Sequence, residues 1–538
     1  MQSPSSPRLR AYLRDALGLD LRSLAVFRIG VGVTLLIDLA VRVPDLERFY
    51  SDVGVIPRAA VRGHSPLLPS LHMLSGGWEL QAGLLALAAA FAVMLALGWR
   101  TRLAAVASWY LLQSLHARDP FVLNGGDVLL RCVLLWAMFL PLGARLGLDA
   151  RAGRRATSGR VALGVASVGF ISQLAIMYVA TAALKWGDAW RDGSALYYAL
   201  SSDHLAFQPL ASLLLGAAPL ERVIGQAGLE TLRALGLPAL AATPWITAAL
   251  TYATLALEYL VPALLLWPWR RGPARAVVVA AFIGFHVCTD LLLSIGLFAL
   301  ICAVVWTALL PGWLWDRVGW RDDDARRDPP RRRGPIELAL ASLVLITLHW
   351  NLRTIDERGR VVPRVSALER DVIEALRLHQ RWSMFAPAPG KNDGWWRAPG
   401  RLVGGGEVDL TTGTAPAWTP VDRADGHRPA LHPVDARLEL DRTKPRDVAG
   451  LYPNHRHRKF MNNLRRSRQL ALRPRLAAYL CRRWNATHAG DERLRELRLV
   501  YMLERTPAPG HSTPPIQPVK VWHHVCADDP PASRSAGL

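Results

Sequence analysis

Lys185 is the only lysine in the apolar part of the chain; Lys391, Lys444, Lys459 and Lys520 all follow residue 355, and the rest of the 64 basic residues are arginines. A GC-rich genome explains the arginine bias without function. A lysine kept at membrane depth still asks for a physical reason, because a guanidinium stays charged where an amine can give up its proton. An amine deprived of water favours its neutral form and can then take a proton from a weak acid. The competing reading is snorkelling, in which Lys185, at a helix end beside Trp186 and Trp190, reaches the headgroup region and stays wet and cationic.

Other ionisable residues in apolar stretches are few, and each is costly enough to be a functional or bundle-locking candidate: Arg28, Asp38, Arg131, Glu258 and His286. Arg28 with Asp38, and Arg131 with Asp127 one turn away, read as ion pairs that fix helix register. Glu258, shortly before Pro262, pairs with a cation or stays protonated. His286, with Asp290 one turn later, could act as an acid, a proton relay or a hydrogen-bond donor to a ligand, or be an ordinary packed residue. The His455/His457 and His523/His524 pairs read as solvated, and no cluster has metal-ligand spacing.

The elements that must position these residues are membrane helices. The composition is 51% hydrophobic, with a mean hydropathy of +0.16. Apolar stretches near the length of a bilayer crossing occur at about 23–42, 79–98, 102–118, 127–148, 161–186, 243–268, 273–292, 295–316 and 336–354. The expected fold is therefore mainly α: a polytopic membrane bundle of about nine transmembrane helices with a smaller extracytoplasmic α+β domain at the C-terminus. Its divisions are an N-terminal cytoplasmic segment (1–22), the transmembrane domain (23–354), the α+β domain (355–526) and a disordered tail (527–538). Segment 323–335 reads as a linker. Strands are expected at about 399–411, 495–505 and 518–526, with helix around 458–483 interrupted by Pro474.

The net charge of +21 does not point to nucleic acid, since the arginines cluster in short segments between apolar runs. Those clusters fall in every second connection, which places the N-terminus in the cytoplasm and the C-terminal domain outside it. On that topology His116, Asp127, Arg131, Lys185 and His286 all lie in the extracytoplasmic half. Cys132, Cys288 and Cys302 sit in predicted helices as small apolar groups. Cys481 and Cys526 are available for a disulfide if their domain faces an oxidising compartment.

Four segments carry a family resemblance: LAVFRIGVGVTLLIDLAVRVPDLERFYSDVGVIPR at 24–58, LNGGDVLLRCVLLWAMFLPLG at 123–143, QLAIMYVATAALKWGDAWRDGSAL at 173–196 and FHVCTDLLLSIGLF at 285–298. They resemble the horizontally transferred transmembrane (HTTM) family, to which the vitamin K-dependent γ-glutamyl carboxylases belong. In those enzymes the segment similar to ALKWGDAW holds a lysine that deprotonates reduced vitamin K, so that dioxygen can turn it into a base strong enough to remove a glutamate γ-proton; carbon dioxide traps the carbanion. The resemblance implies Lys185 as the base. One departure is visible: where the carboxylases have a histidine near the start of the fourth span, this chain reads Asn124, Gly125, Gly126, Asp127. The C-terminal portion resembles the tail of bacterial HTTM proteins instead of the carboxylase lumenal domain.

Two functions follow as expectations. The first is a carboxylase-like enzyme of a bacterial plasma membrane, using Lys185 and His286 for catalysis and Asn124, Asp127, Trp186 and Glu258 to contact a cofactor. That cofactor would be reduced vitamin K or menaquinol, with O2 and CO2 as co-substrates and no metal, acting on a peptide or protein substrate outside the cytoplasm. The second is a non-catalytic membrane protein that binds lipid or quinone and recruits a partner through its C-terminal domain, with Trp382, Phe385, Trp395 and Trp396 as a docking surface or as core. A transporter would show interrupted helices in matching halves, which the sequence lacks.

Overall fold

The computed structural model describes residues 7–61, 68–153, 159–266, 271–320, 334–420, 438–466 and 471–526. Most of the expected linker at 323–335 and all of the expected tail at 527–538 lie outside the described residues.

Nine helices build the bundle: α1 (Leu21–Arg42), α2 (Trp78–Leu97), α3 (Thr101–Arg118), α4 (Gly125–Ala137), α5 (Val165–Leu184), α6 (Trp245–Leu265), α7 (Arg271–Leu292), α8 (Phe298–Thr307) and α9 (Pro335–Ile355). Among the described residues six of these are long and apolar enough to cross a membrane, which marks an integral membrane protein; the expected count of about nine is not reached. The shortfall lies in α3, α4 and α8. Helix α3 turns polar toward its end, with Gln113, Ser114, His116 and Arg118 all buried, while α4 and α8 are only 13 and 10 residues long. Nearly every residue of α4 is buried, so it is sheathed by other helices and does not need a full lipid-spanning length.

Local chemistry sets the helix ends. Asp20 caps α1 by accepting the Arg22 N–H at 2.8 Å. Helix α2 stops at Gly98, which takes the left-handed conformation (φ 67°) that a side chain would disfavour. The NGGD sequence is a capping box: Asn124 Oδ1 accepts the Gly126 N–H at 2.8 Å, and Asp127 Oδ2 accepts the Asn124 N–H at 2.8 Å. Helices α1 and α2 approach closely because Gly32 leaves room; a Cβ there would lie 2.7 Å from that of Ala96.

The connections gather into two ends. At one, Arg22 reaches Gly312 and Asp316, Arg28 donates to the carbonyls of Leu142, Arg145 and Leu146, and Arg275 donates to Leu309 O. At the other sit the α1–α2 and α5–α6 connections, bonded to the C-terminal domain. Arg28 thus pairs with backbone, and not with Asp38, because the two residues lie toward opposite ends of α1.

The C-terminal domain carries an antiparallel sheet of β1 (Asn392–Arg397), β2 (Pro399–Leu402), β3 (Glu407–Asp409), β4 (Leu494–Arg505) and β5 (Gln517–Val525). The long β4 pairs with β1 and β2 along one edge and β5 along the other, in a register that sets Trp395 opposite Met502 and Tyr501 opposite Val519. Alternation divides the sheet's side chains between two cores: Trp395, Val500 and Met502 pack together, while Trp396, Leu499 and Tyr501 pack with α11 (Leu472–Asn485). Ahead of α11 lies α10 (His455–Asn463). Pro474 sits in the first turn of α11, where its missing N–H costs nothing, so it begins a helix where an interruption was expected. Trp382, Trp395 and Trp396 are buried core residues and form no docking surface. Cys481 of α11 and Cys526, just past β5, are joined by a disulfide.

Candidate active site

Lys185 follows the last residue of α5, yet its amine turns inward. Nζ donates to Glu258 Oε1 at 2.6 Å and Oε2 at 2.7 Å, and lies 4.4 Å from the centroid of the Trp190 ring. Both partners are buried, at 7% and 4% exposure. The reason lies in what covers them. Glu258 is past the midpoint of α6, and the first half of that helix packs against the short helix Ala195–Leu200, where Leu196 N–H donates to Thr251 Oγ1 at 3.1 Å. The 187–190 turn is pinned from above by Gly187 N–H to Pro387 O and Trp190 Nε1–H to Phe385 O, each 2.9 Å. This roof keeps Lys185 from extending to a lipid surface.

His286 belongs to a second polar group. Trp306 Nε1–H donates to the Tyr178 hydroxyl at 2.8 Å, and that hydroxyl lies 2.6 Å from His286 Nε2 and also bonds the Cys302 thiol. With the hydroxyl donating to Nε2, the neutral ring carries its proton on Nδ1. Nδ1 is buried and has no hydrogen-bond partner among the described residues. Phe282 stacks on Trp306 with ring centroids 4.4 Å apart and holds the group in place.

Both groups line one cavity of about 380 Å³. Its walls are mostly apolar, including Leu196, Leu200, Leu250, Phe285, Phe298 and Phe385, and its polar lining includes Asn124, Tyr178, Lys185, Glu258 and His286. This is the general form of a site for a small amphipathic molecule.

Two of the expected cofactor contacts sit elsewhere. Trp186 is 57% exposed and does not line the cavity, because Lys185 and Trp186 point to opposite sides where α5 ends. Asp127 is engaged in a buried charge cluster beside the cavity. It accepts Arg42 Nη2 at 2.9 Å and Arg456 Nη2 at 2.8 Å, while Asp38 accepts Arg42 Nε at 3.0 Å and is also bonded by Arg456. Arg131, expected to pair with Asp127, instead donates to His116 Nδ1 at 3.1 Å and to Arg377 O at 2.8 Å. Asp38, His116 and Asp127 converge closely enough to hold a metal, but Arg42 and Arg456 satisfy the carboxylates, and two guanidiniums would repel a cation. The cluster reads as an electrostatic lock between bundle and domain.

The residues that sequence reasoning missed lie on α10. Its His455, Arg458, Lys459 and Asn462 complete the cavity wall, and its Arg456 enters the charge cluster. The segment HRHRKF reads as a solvated basic run until its helix is docked, and the expectation that His455 and His457 are solvated fails for that reason. Burial, helped by neighbouring Arg456, holds His455 down at about 4, so its imidazole is neutral at neutral pH.

The HTTM domain family matches residues 18–313, over half of the chain and all of the helices that supply Lys185, Glu258 and His286. The chain belongs to the HTTM domain family. The HTTM match ends before α9 and the C-terminal domain, so α10 adds its side chains to the cavity from outside the family region. No curated protein and no solved structure matches the chain.

Proposed function

We propose that this HTTM protein is a carboxylase-like membrane enzyme whose Lys185–Glu258 pair takes a proton from a reduced quinone held in the cavity. The observation that carries the reading is a buried lysine and glutamate paired in the wall of a largely apolar cavity of about 380 Å³. The apolar walls suit a quinone ring, and the unpartnered Nδ1–H of His286 offers a hydrogen bond to a quinone oxygen. When bound, a reduced quinone would supply, with dioxygen, the strong base for proton abstraction from carbon, and carbon dioxide would trap the product.

Proton counting defines what the pair can do. In the ion-paired form Lys185 carries its proton and has no lone pair, so it acts as the base only once that proton has passed to Glu258, which leaves a neutral amine beside a neutral acid. The amine then takes the quinol's proton, and the quinolate formed is its counter-charge. Tyr178 orients His286 by bonding its Nε2, and the 187–190 turn covers Lys185.

We place the cavity and the C-terminal domain on the extracytoplasmic side of a bacterial plasma membrane, where a peptide or protein substrate would meet them. Support comes from Arg22, Arg28, Arg160 and Arg275 at the opposite end and from the Cys481–Cys526 disulfide, which suits an oxidising compartment. The test is to supply purified protein in liposomes with menaquinol or vitamin K hydroquinone under O2 and CO2. Wild type is expected to consume the quinol; no consumption of either would remove the cofactor assignment.

A further inference from the structure

Helix α10 has two faces. Arg456, Phe460 and Asn463 point into the bundle: Arg456 joins Asp38 and Asp127, Phe460 packs 5.2 Å from Phe49 between ring centroids, and Asn463 Nδ2 donates to Phe121 O at 2.6 Å. His455, Lys459 and Asn462, at the same i, i+4, i+7 spacing, form the stripe that lines the cavity. Each residue of the first face packs or bonds against the bundle. The second face is left without such partners.

Lys459 makes no hydrogen bond or ion pair with any described residue, and His455 Nε2 is buried with no partner. Burial and the nearby Arg466 draw Lys459 below the ordinary lysine value and outweigh the favourable charge of Asp127, which is itself bonded to Arg42 and Arg456. A cation and a neutral imidazole one helical turn apart, both facing an apolar space, are costly unless something anionic completes them. Neighbouring Arg458 is committed to the carbonyls of His204 and Ser294, so it leaves Lys459 as the available charge.

We infer that the His455–Lys459–Asn462 face binds the carboxylate of a mostly apolar ligand, with Lys459 as the counter-ion and His455 and Asn462 as hydrogen-bonding neighbours. The mostly apolar walls around this face suit a fatty acyl chain as the carrier of that carboxylate. This inference concerns binding alone and stands whether or not a quinol is turned over.

Isothermal titration of the purified full-length protein with octanoate against octanol tests it. Octanoate is expected to bind tenfold or more tightly than octanol. Lys459→Gln is expected to abolish that preference and Lys459→Arg to keep it, both with the wild-type unfolding temperature, because Lys459 holds no internal hydrogen bond. Equal affinity for the two, or a preference that survives in Lys459→Gln, would overturn the inference.

Discussion

Lys185 Nζ touches both carboxylate oxygens of Glu258, at 2.6 and 2.7 Å, although the two residues are 73 positions apart and sit on different helices. A buried pair of this kind is costly to desolvate and more costly to break, because removing one member strands the other charge. Lys185→Met or Glu258→Leu alone is therefore expected to destabilise the protein by about 3–5 kcal/mol. The double variant Lys185→Met/Glu258→Leu is expected to recover most of that loss. Thermal unfolding in one detergent checks the set, and a double variant no more stable than the singles would show that the pair is not the unit described.

Tyr178 accepts from Trp306 and bonds both His286 and the Cys302 thiol. Tyr178→Phe is expected to cost about 1–3 kcal/mol, because it leaves two buried groups unsatisfied. Freed of that donor, His286 would also lose its fixed tautomer, and quinol turnover should fall while the fold persists. A variant with unchanged turnover would mean that the orientation of His286 does not matter.

Arg456 bridges Asp38 and Asp127 from a helix outside the HTTM region. Its loss leaves two buried carboxylates facing Arg42 alone, and Arg456→Ala is expected to loosen α10 from the bundle, at a cost of about 3–5 kcal/mol. Limited proteolysis near residues 455–463 should then speed up sharply. Wild-type protection in the variant would argue against the lock.

Asp393 fastens the domain to the α5–α6 connection. Burial opposes its ionisation, but His204 and the N–H groups of Gly394 and Asp203 outweigh it and hold the carboxyl below the usual value. A carboxyl depressed in the folded state contributes its full stability above the unfolded pKa of about 3.9 and loses it as pH falls through the folded value. Hydrogen exchange at residues 201–206 is expected to stay slow from pH 7 to about 4 and to quicken, beyond the intrinsic rate, in more acid solution. Asp393→Asn should show the quickened exchange already at neutral pH.

The disulfide ties α11 to the strand at the sheet's edge across 45 residues. Reduction is expected to cost about 2–4 kcal/mol within the C-terminal domain and to leave the helix bundle folded. Tryptophan fluorescence and proteolysis with and without reductant would report this, and an unchanged melting profile would contradict it.

What was legible in the sequence followed from scarcity. Lys185, Glu258 and His286 stand out because ionisable groups are rare in apolar helices, and they do line one cavity. Partner choice was less legible, since sequence spacing favours Arg131 with Asp127 while the fold gives Asp127 to Arg42 and Arg456. Adjacency on one helix cannot compete with guanidiniums delivered from elsewhere. The span count suffered similarly, because the polar, buried end of α3 and the short α4 and α8 depend on neighbours that hydropathy does not see. Least legible was α10, whose basic residues look like a solvated surface until the domain docks and turns His455 and Lys459 into cavity wall.

The central claim is that the Lys185–Glu258 pair handles a quinol's proton, and one comparison tests it most directly: the rate of quinol consumption in liposomes by wild type and by Lys185→Met/Glu258→Leu, matched for folded protein. Wild type is expected to turn over and the double variant to be inactive despite its restored stability. Equal rates in the two would contradict the account and leave the pair as a structural feature of the bundle.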